Sequence, residues 1–298
     1  MPGRIVEIAN NDRFLSVHRG FLVVNSTNEN RQEVGRVPLD DIDALIANSY
    51  GISFTNNVMV ALAERGTPVV LCGKNHLPVG VVWPLDGNHY QSRRIDAQIS
   101  CKLTLRKRLW ASIVSAKIEQ QALVLKTLGK TYLPVKRLAK QVRHGDPNNV
   151  EAQAARVYWT LLFGDSFRRN RDMPGINTLL NYGYTVLRSC VARATVAAGL
   201  HPSIGLHHSN ESNPMRLVDD LMEPFRPFID KAVWELVDHG QMEVSSDSKR
   251  ALLQVLYLDV QVEDGRSPLI MEIQRLATSV VHVLMGEKID IRLPTADR

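Results

Sequence analysis

Residues 207–230 read HHSNESNPMRLVDDLMEPFRPFID, a segment that sets two adjacent imidazoles, a group of carboxylates and two prolines against one apolar periodicity. Leu217, Leu221, Phe225 and Phe228 recur at helical spacing and predict a helix with one buried face. On that helix Asp219 and Glu223 are four residues apart and Asp220 and Glu223 three apart, so their carboxylates rise from neighbouring turns of one surface. Pro224 and Pro227 remove backbone donors and clash with the preceding turn, which predicts a bend directly after Glu223. Crowded carboxylates repel one another unless a cation lies among them. Imidazole nitrogen together with carboxylate oxygen suits Mg2+ or Mn2+, completed by water, better than an all-oxygen calcium cage. The same residues also suit a solvated acidic face with surface histidines, and the segment alone leaves both readings open.

Working outward, everything from residue 97 onward reads as helical. Residues 97–128 predict a long basic helix or helix pair, and residues 134–143 a short one opened by proline. NNVEAQAARVYWTLLFG restarts a helix from an Asn cap, with Glu151 in its first turn, where a glutamate ordinarily complements the helix dipole. Residues 175–200, GINTLLNYGYTVLRSCVARATVAAGL, predict a central helix whose alanines permit close packing. Gly199, Pro202 and Gly205 break it and lead into His207 and His208. Further helices are expected over 231–239, 250–258 and 270–284. The first eighty-odd residues are β-prone instead. Short runs at 5–8, 14–18, 21–25, 33–39 and 42–46 predict strands, with a hairpin turn at His18-Arg19-Gly20. A short capped helix is expected over 58–63, with buried strands at 68–71 and 79–83 separated by the turn Gly73-Lys74-Asn75. PLDGNHYQSRRID at 84–96 has the composition of a linker. The expected fold is therefore α+β: a small β-rich domain over 1–83 whose exposed strand edges suit dimerisation, a linker over 84–96, and a larger all-helical domain over 97–298.

The chain has 298 residues, of which 44% are hydrophobic and 22% charged, the balance of a soluble globular protein with ample core. No apolar run reaches the ~20 residues that span a bilayer, and MPGRIVEIANNDRF lacks a signal-peptide core, so a cytoplasmic protein with no membrane partner is expected. Cys72, Cys101 and Cys190 are odd in number and far apart, which supports neither a disulfide framework nor a zinc site. The net charge of +5 is uneven: residues 1–95 hold nine Lys+Arg against nine Asp+Glu, whereas 102–143 hold eleven against Glu119 alone. Such an unpaired basic run is a footprint for a polyanion, in particular nucleic acid. Lys102, Arg106 and Arg108 in that run, and Arg168 and Arg169 in the loop RRNR, are candidate DNA contacts. Arg226, one turn beyond Glu223, is suited equally to a phosphate or to an acidic neighbour.

GLHPSIGLHHSNESNPMRLVDDLMEPFRPFID at 199–230, NTLLNYGYTVL at 177–187 and Glu151 in VEAQAARVYW together resemble the CRISPR-associated protein 1 family, the integrase of CRISPR adaptation, and most closely its compact type II members. The likeness extends over nearly the whole chain, including SYGISFTNNVMVALAERGTPVVLCG in its β-rich part. It implies that Glu151, His208 and Glu223 are catalytic and bind the divalent metal, with His207 an alternative to His208 and Asp220 supporting the site or positioning DNA. It further implies a homodimer, a complex with a CRISPR-associated protein 2 dimer, contact with the RNA-guided effector nuclease, and double-stranded DNA substrates: foreign fragments and the repeat and leader of the array. The expected activity is joining of 3′-hydroxyl ends of foreign DNA to the CRISPR array. Hydrolysis of branched DNA by the same metal, as a nuclease or resolvase, and integration by a transposon-borne relative are the alternatives.

Overall fold

The computed structural model describes residues 4–27, 32–73, 78–82, 84, 91–262 and 265–294. The β-prone beginning folds into strands β1 (Arg4–Ile8), β2 (Arg13–His18), β3 (Phe21–Ser26), β4 (Glu33–Pro38), β5 (Ile42–Ala47) and β6 (Ile52–Phe54), helix α1 (Asn56–Glu64), and strands β7 (Val69–Cys72) and β8 (Pro78–Val82). The expected hairpin forms between β2 and β3, with His18 opposite Phe21. Arg19 and Gly20, at φ 48° and 81°, both take the left-handed conformation that lets a two-residue turn match strand twist. One sheet runs β4-β3-β2-β6 and the other β1-β5-β7-β8. The three residues of β6 were not expected as a strand, being too short to show an alternating pattern.

Alternation along β5 joins the two parts of the molecule. Leu45 lies in a small core with Leu15, Leu22, Leu62 and Val69, whereas Ala44 and Ile46 belong to the large core of the helices. Successive side chains of a strand point to opposite faces, so a strand apolar at consecutive positions is covered on both sides. Glu7 of β1 adds a polar tie: its carboxylate accepts hydrogen bonds from Asn48 Nδ2 at 2.7 Å and from Tyr182 Oη at 2.5 Å, with Lys249 Nζ at 3.6 Å.

The expected linker is only partly a linker. Its residues 85–90 lie outside the described residues, while 91–96 belong to α2 (Gln91–Ile99). Arg94, one of the polar residues that suggested a free connection, donates to the Ala198 carbonyl at 2.8 Å, and just beyond the expected linker buried Gln98 accepts from His201 N at 2.7 Å. The remaining helices are α3 (Leu103–Thr127), α4 (Leu133–Ala139), α5 (Val150–Phe163), α6 (Ile176–Ala197), α7 (Arg216–Met222), α8 (Arg226–Asp238), α9 (Ser246–Gln254) and α10 (Leu269–Leu284). The helical part also carries an unexpected hairpin of β9 (Asp259–Val262) and β10 (Gly265–Pro268), where Val260 and Val262 are buried and Asp259 and Gln261 exposed. None of the described helices is long and apolar enough to cross a membrane.

Helix α6 is the centre of the large core and packs against α7, α8, α9, α10 and β5. Small side chains permit this, Gly183 most of all: a Cβ there would lie 2.4 Å from Ile229 Cγ2. The predicted bend is present, with a 3-10 turn at Glu223–Phe225 joining α7 to α8. Pro227 falls in the first turn of α8, where its missing N–H costs nothing. Three helices meet at Asp230, which is 1% exposed and accepts hydrogen bonds from Tyr158 Oη of α5 at 3.1 Å and Tyr184 Oη of α6 at 2.5 Å. Burial pushes the Asp230 carboxyl up to about 7, although both hydroxyls and the charges of Arg226 and Lys117 oppose that.

Alanine ordinarily stabilises a helix interior by up to ~1 kcal/mol over glycine. Gly183→Ala should reverse that sign and cost ~1–3 kcal/mol in urea unfolding through overpacking against Ile229; a stabilised variant would show that α6 and α8 have room to part. The folded Asp230 carboxyl keeps its proton between its ordinary pKa of 3.8 and about 7, where the unfolded one has lost it, so unfolding releases a proton and stability falls as pH rises across that window. Against Asp230→Asn, the wild type should lose at most ~1.4 kcal/mol per pH unit there, and a difference independent of pH would show that Asp230 ionises normally.

Candidate active site

Glu151 enters from the first turn of α5, which begins in a loop of left-handed residues: Gly145, Asp146 and Asn149 have φ of 79°, 46° and 50°. That loop turns the Asp146 carboxylate onto the open end of the helix, where it accepts from Val150 N at 2.9 Å and Glu151 N at 3.0 Å. Glu151 is therefore pinned at its backbone, which leaves its carboxylate to project from the helix end. Glu223 arrives from the 3-10 turn between α7 and α8, its side chain 6% exposed.

Between these two acids stands a residue that the sequence reading counted only as part of the basic run. Lys117 of α3 places Nζ 2.6 Å from Glu151 Oε1 and 2.6 Å from Glu223 Oε2. The ammonium donates a hydrogen bond to Glu151. Toward Glu223 Oε2, which is buried, the ammonium is equally close but less well aligned for a hydrogen bond. The other oxygen, Oε1, accepts from Arg226 Nε at 2.9 Å. Burial by itself pushes the Glu223 carboxyl up, but Arg226 and Lys117 outweigh it and hold it down at about 2. Burial likewise disfavours the Lys117 charge, yet Glu223 and Glu151 hold its pKa above the ordinary lysine value.

The loop after α6 brings in the histidines. Asp220 of α7 is fully buried and gathers Leu206 N, His207 N and His208 N at 2.6, 3.1 and 3.2 Å, and His208 Nδ1 at 2.6 Å. One carboxylate thus organises the loop and orients one imidazole, with Nδ1 engaged and Nε2 left to other partners. The hydrogen bond to Asp220 raises the His208 pKa above its ordinary value. Gly205 makes the close turn possible, since a Cβ there would meet His208 O at 2.8 Å and Asp220 Oδ2 at 3.0 Å. His207 does something else: it lies flat on Trp110 of α3, ring centroids 4.2 Å apart and planes within 1°. The two histidines left open by the sequence differ plainly, one anchored to a carboxylate and the other stacked on an indole.

The crowded carboxylates of α7 are resolved one by one. Asp219 is held in a bidentate pair with Arg188 at 2.6 and 2.8 Å, and Asn213 Nδ2 donates to it at 2.7 Å. Glu151 and Glu223 come together on Lys117, while His208 sits close enough to Glu223 for each to shift the other's ionisation. The three are not drawn into a ready cage: no group of three or more His, Cys, Asp or Glu side chains placed to hold a metal occurs among the described residues.

His208 and Arg226 open onto a cleft of about 790 Å³ between β8 and the helices, with Arg169, Arg171, Arg188 and Tyr184 also on its walls. Arg226 and Arg169 lie over the Tyr184 ring at 4.6 and 5.5 Å, and Arg169 donates to Asn177 Oδ1 at 3.0 Å and Asn181 Oδ1 at 2.8 Å. Of the basic residues expected to grip a polyanion, Arg169 and Arg226 line this cleft. Lys102, Arg106, Arg108 and Arg168 do not. Arg106 donates to the Gln98 carbonyl, Arg108 to that of Ile289 at 2.6 Å and Arg168 to that of Asp165 at 2.6 Å, so these guanidiniums close off chain ends and turns. The charge count could not separate them, because donors to backbone carbonyls and donors to phosphate are the same residue types. Lys117 had a fainter signal: it lies in IVSAKI, whose Ile113, Val114, Ala116 and Ile118 are all buried, and a lysine so placed needs an anion.

With this geometry in hand, comparison with known proteins is informative. The family model described as CRISPR associated protein Cas1 matches residues 6–261. The CRISPR-associated endonuclease Cas1 of Neisseria meningitidis is 36% identical over 270 residues, 89% of this chain and 87% of that protein. Among solved structures, a casposase bound to integration product superposes with TM-score 0.82 at 20% identity, covering 99% of this chain and 95% of the other. A Cas6-RT-Cas1–Cas2 complex gives TM-score 0.79 at 18% identity, covering 99% of this chain and 36% of that one. The family match and the Neisseria relative extend across both the β-rich part and the helices that carry Glu151, His208 and Glu223: the chain belongs to the CRISPR associated protein Cas1 family.

Proposed function

We propose that this protein is the integrase of CRISPR adaptation, joining the 3′-hydroxyl ends of foreign DNA fragments to a CRISPR array by metal-dependent transesterification. The observation that supports it most is the meeting of Glu151 and Glu223, from helices far apart in the chain, 2.6 Å from one cationic nitrogen beside an arginine-lined cleft. The donor set fits a divalent cation. Two carboxylates already share a positive charge, Glu223 Oε2 is turned inward and buried, and His208 keeps Nε2 for coordination while Nδ1 is held by Asp220. Glu151, His208 and Glu223 would hold Mg2+ or Mn2+, which when bound supplies Lewis acidity toward a phosphate oxygen.

Phosphoryl transfer asks a protein for position and charge neutralisation more than for covalent chemistry. Arg171 is exposed at the cleft and takes up backbone phosphate. Arg226, fixed by Glu223 and by the Tyr184 ring, brings charge to the reacting end without a rotamer search. Asp220 keeps His208 in one tautomer and orientation. The substrate is double-stranded DNA, foreign fragments on one side and the repeat and leader on the other. The partners are a second copy of this chain, met through the β-rich domain, a CRISPR-associated protein 2 dimer, and the RNA-guided effector nuclease. The word endonuclease in the name of the Neisseria relative favours a second reading, in which water replaces the 3′-hydroxyl and the same site cuts branched DNA.

Glu223→Gln and Glu151→Gln should each lower strand joining by ~10²-fold or more in an assay with partner, array DNA and Mn2+, with DNA binding largely kept; joined product at the wild-type rate would remove these acids from the active site. Covalent product from a 3′-hydroxyl oligonucleotide supports integration, whereas cleavage alone supports the second reading. Arg171→Ala should weaken DNA binding and reduce the slope of log affinity against log salt by ~0.9. An unaltered slope would place Arg171 away from phosphate.

A further inference from the structure

We infer that Lys117 is the cation site's built-in competitor: it holds the Glu151 and Glu223 carboxylates together in the metal-free protein and has to withdraw before a divalent cation can settle between them. The inference rests on the proposed metal site and adds what this chain does in the absence of metal. Its basis is placement. Lys117 stands on α3 one turn beyond buried Ile113 and Val114, and its own side chain is only 12% exposed. A lysine is seldom set into such a wall unless an anion receives it. Here two anions do, each at 2.6 Å.

The two acids depend on it unequally. Glu223 keeps Arg226 on its other oxygen, but Lys117 is the one cation paired with Glu151 among the described residues. Divalent ions take carboxylate oxygens at roughly 2.0–2.2 Å, so an ammonium in contact with both acids stands where the ion would. Two positive charges in that space repel, and only one stays. The contacts mark the exchange as feasible. The contact to Glu223 Oε2 is the less well aligned of the ammonium's two, the Glu151 side chain is 25% exposed, and a lysine stem with four rotatable carbons re-aims more easily than a guanidinium fork. With Lys117 in place the three expected ligands form no cage. In metal-free protein the competitor also suppresses repulsion between the two carboxylates.

Lys117→Met keeps the length and apolar packing of the stem and removes the charge; Lys117→Gln keeps polarity should the methionine variant fold poorly. Mn2+ binding to the full chain, measured by calorimetry and by Mn2+ electron paramagnetic resonance at pH 8, should tighten at least ~10-fold in either variant. The metal-free Tm should fall, and the rise in Tm on adding Mn2+ should exceed that of the wild type. A residue that merely supported the fold would lower Tm without tightening Mn2+, so affinity equal to or weaker than wild type overturns the inference. Glu223→Gln serves as the control for the site itself. If wild-type Mn2+ binding is sensitive to Glu223→Gln while the Lys117 variants bind no tighter, this inference alone fails. If Mn2+ binding ignores Glu223→Gln, the proposed metal site fails and takes the inference with it.

Discussion

Neutralisation of buried carboxylate is the constraint around which the helical part is built. Asp219, Asp220, Glu223 and Asp230 occur within twelve residues, most of them out of water. An unpaired charge in such a place costs several kcal/mol, and each is answered differently. Arg188 grips Asp219 with two hydrogen bonds, three backbone N–H groups and an imidazole surround Asp220, Lys117 and Arg226 divide Glu223, and two tyrosines keep Asp230. Because those partners come from α3, α5, α6 and the loop after α6, satisfying the acids also sets how the helices pack. Polar satisfaction and fold are here the same requirement.

The site follows from that requirement. Asp220 gathers the backbone of residues 206–208 and so decides where the His208 ring points, while Gly205 leaves room for the loop to come close. Asp146 does the equivalent for Glu151 at the start of α5. Neither acid lines the cleft itself: Asp220 fixes the backbone of His208, which does, and Asp146 that of Glu151, which meets Lys117. The 3-10 turn at Glu223–Phe225 is the third such device, since it breaks the register of a continuous helix so that Glu223 meets Lys117 while Arg226 reaches the cleft.

Much of this was legible before any coordinates. Period-two and period-3.6 patterns placed most strands and helices, and the two prolines located the bend after Glu223. The family likeness covered the chain from its β-rich part to residue 230, which the family model and the Neisseria relative match as well. What escaped the sequence has physical causes. The strands β6 and β9 are too short for periodicity to show. Residues 91–96 read as a tether because they are polar, and polarity does not reveal whether a backbone carbonyl waits nearby, as it does for Arg94. The basic run looked uniform for the same reason, although Lys117 faces acids, Arg106 and Arg108 face carbonyls, and neither partner is adjacent in the chain.

Helix α6 has a further consequence. Tyr182 reaches Glu7 on the first strand, Gly183 presses against Ile229, and Tyr184 stands under two guanidiniums at the cleft. Three successive residues thus touch the sheet domain, the helical interior and the arginine-lined groove. A single turn of rigid backbone links them, too short to absorb a twist. Any tilt imposed on the sheet therefore reaches the groove as a rotation of the tyrosine ring, and a load at one end of the molecule becomes a steric fact at the other.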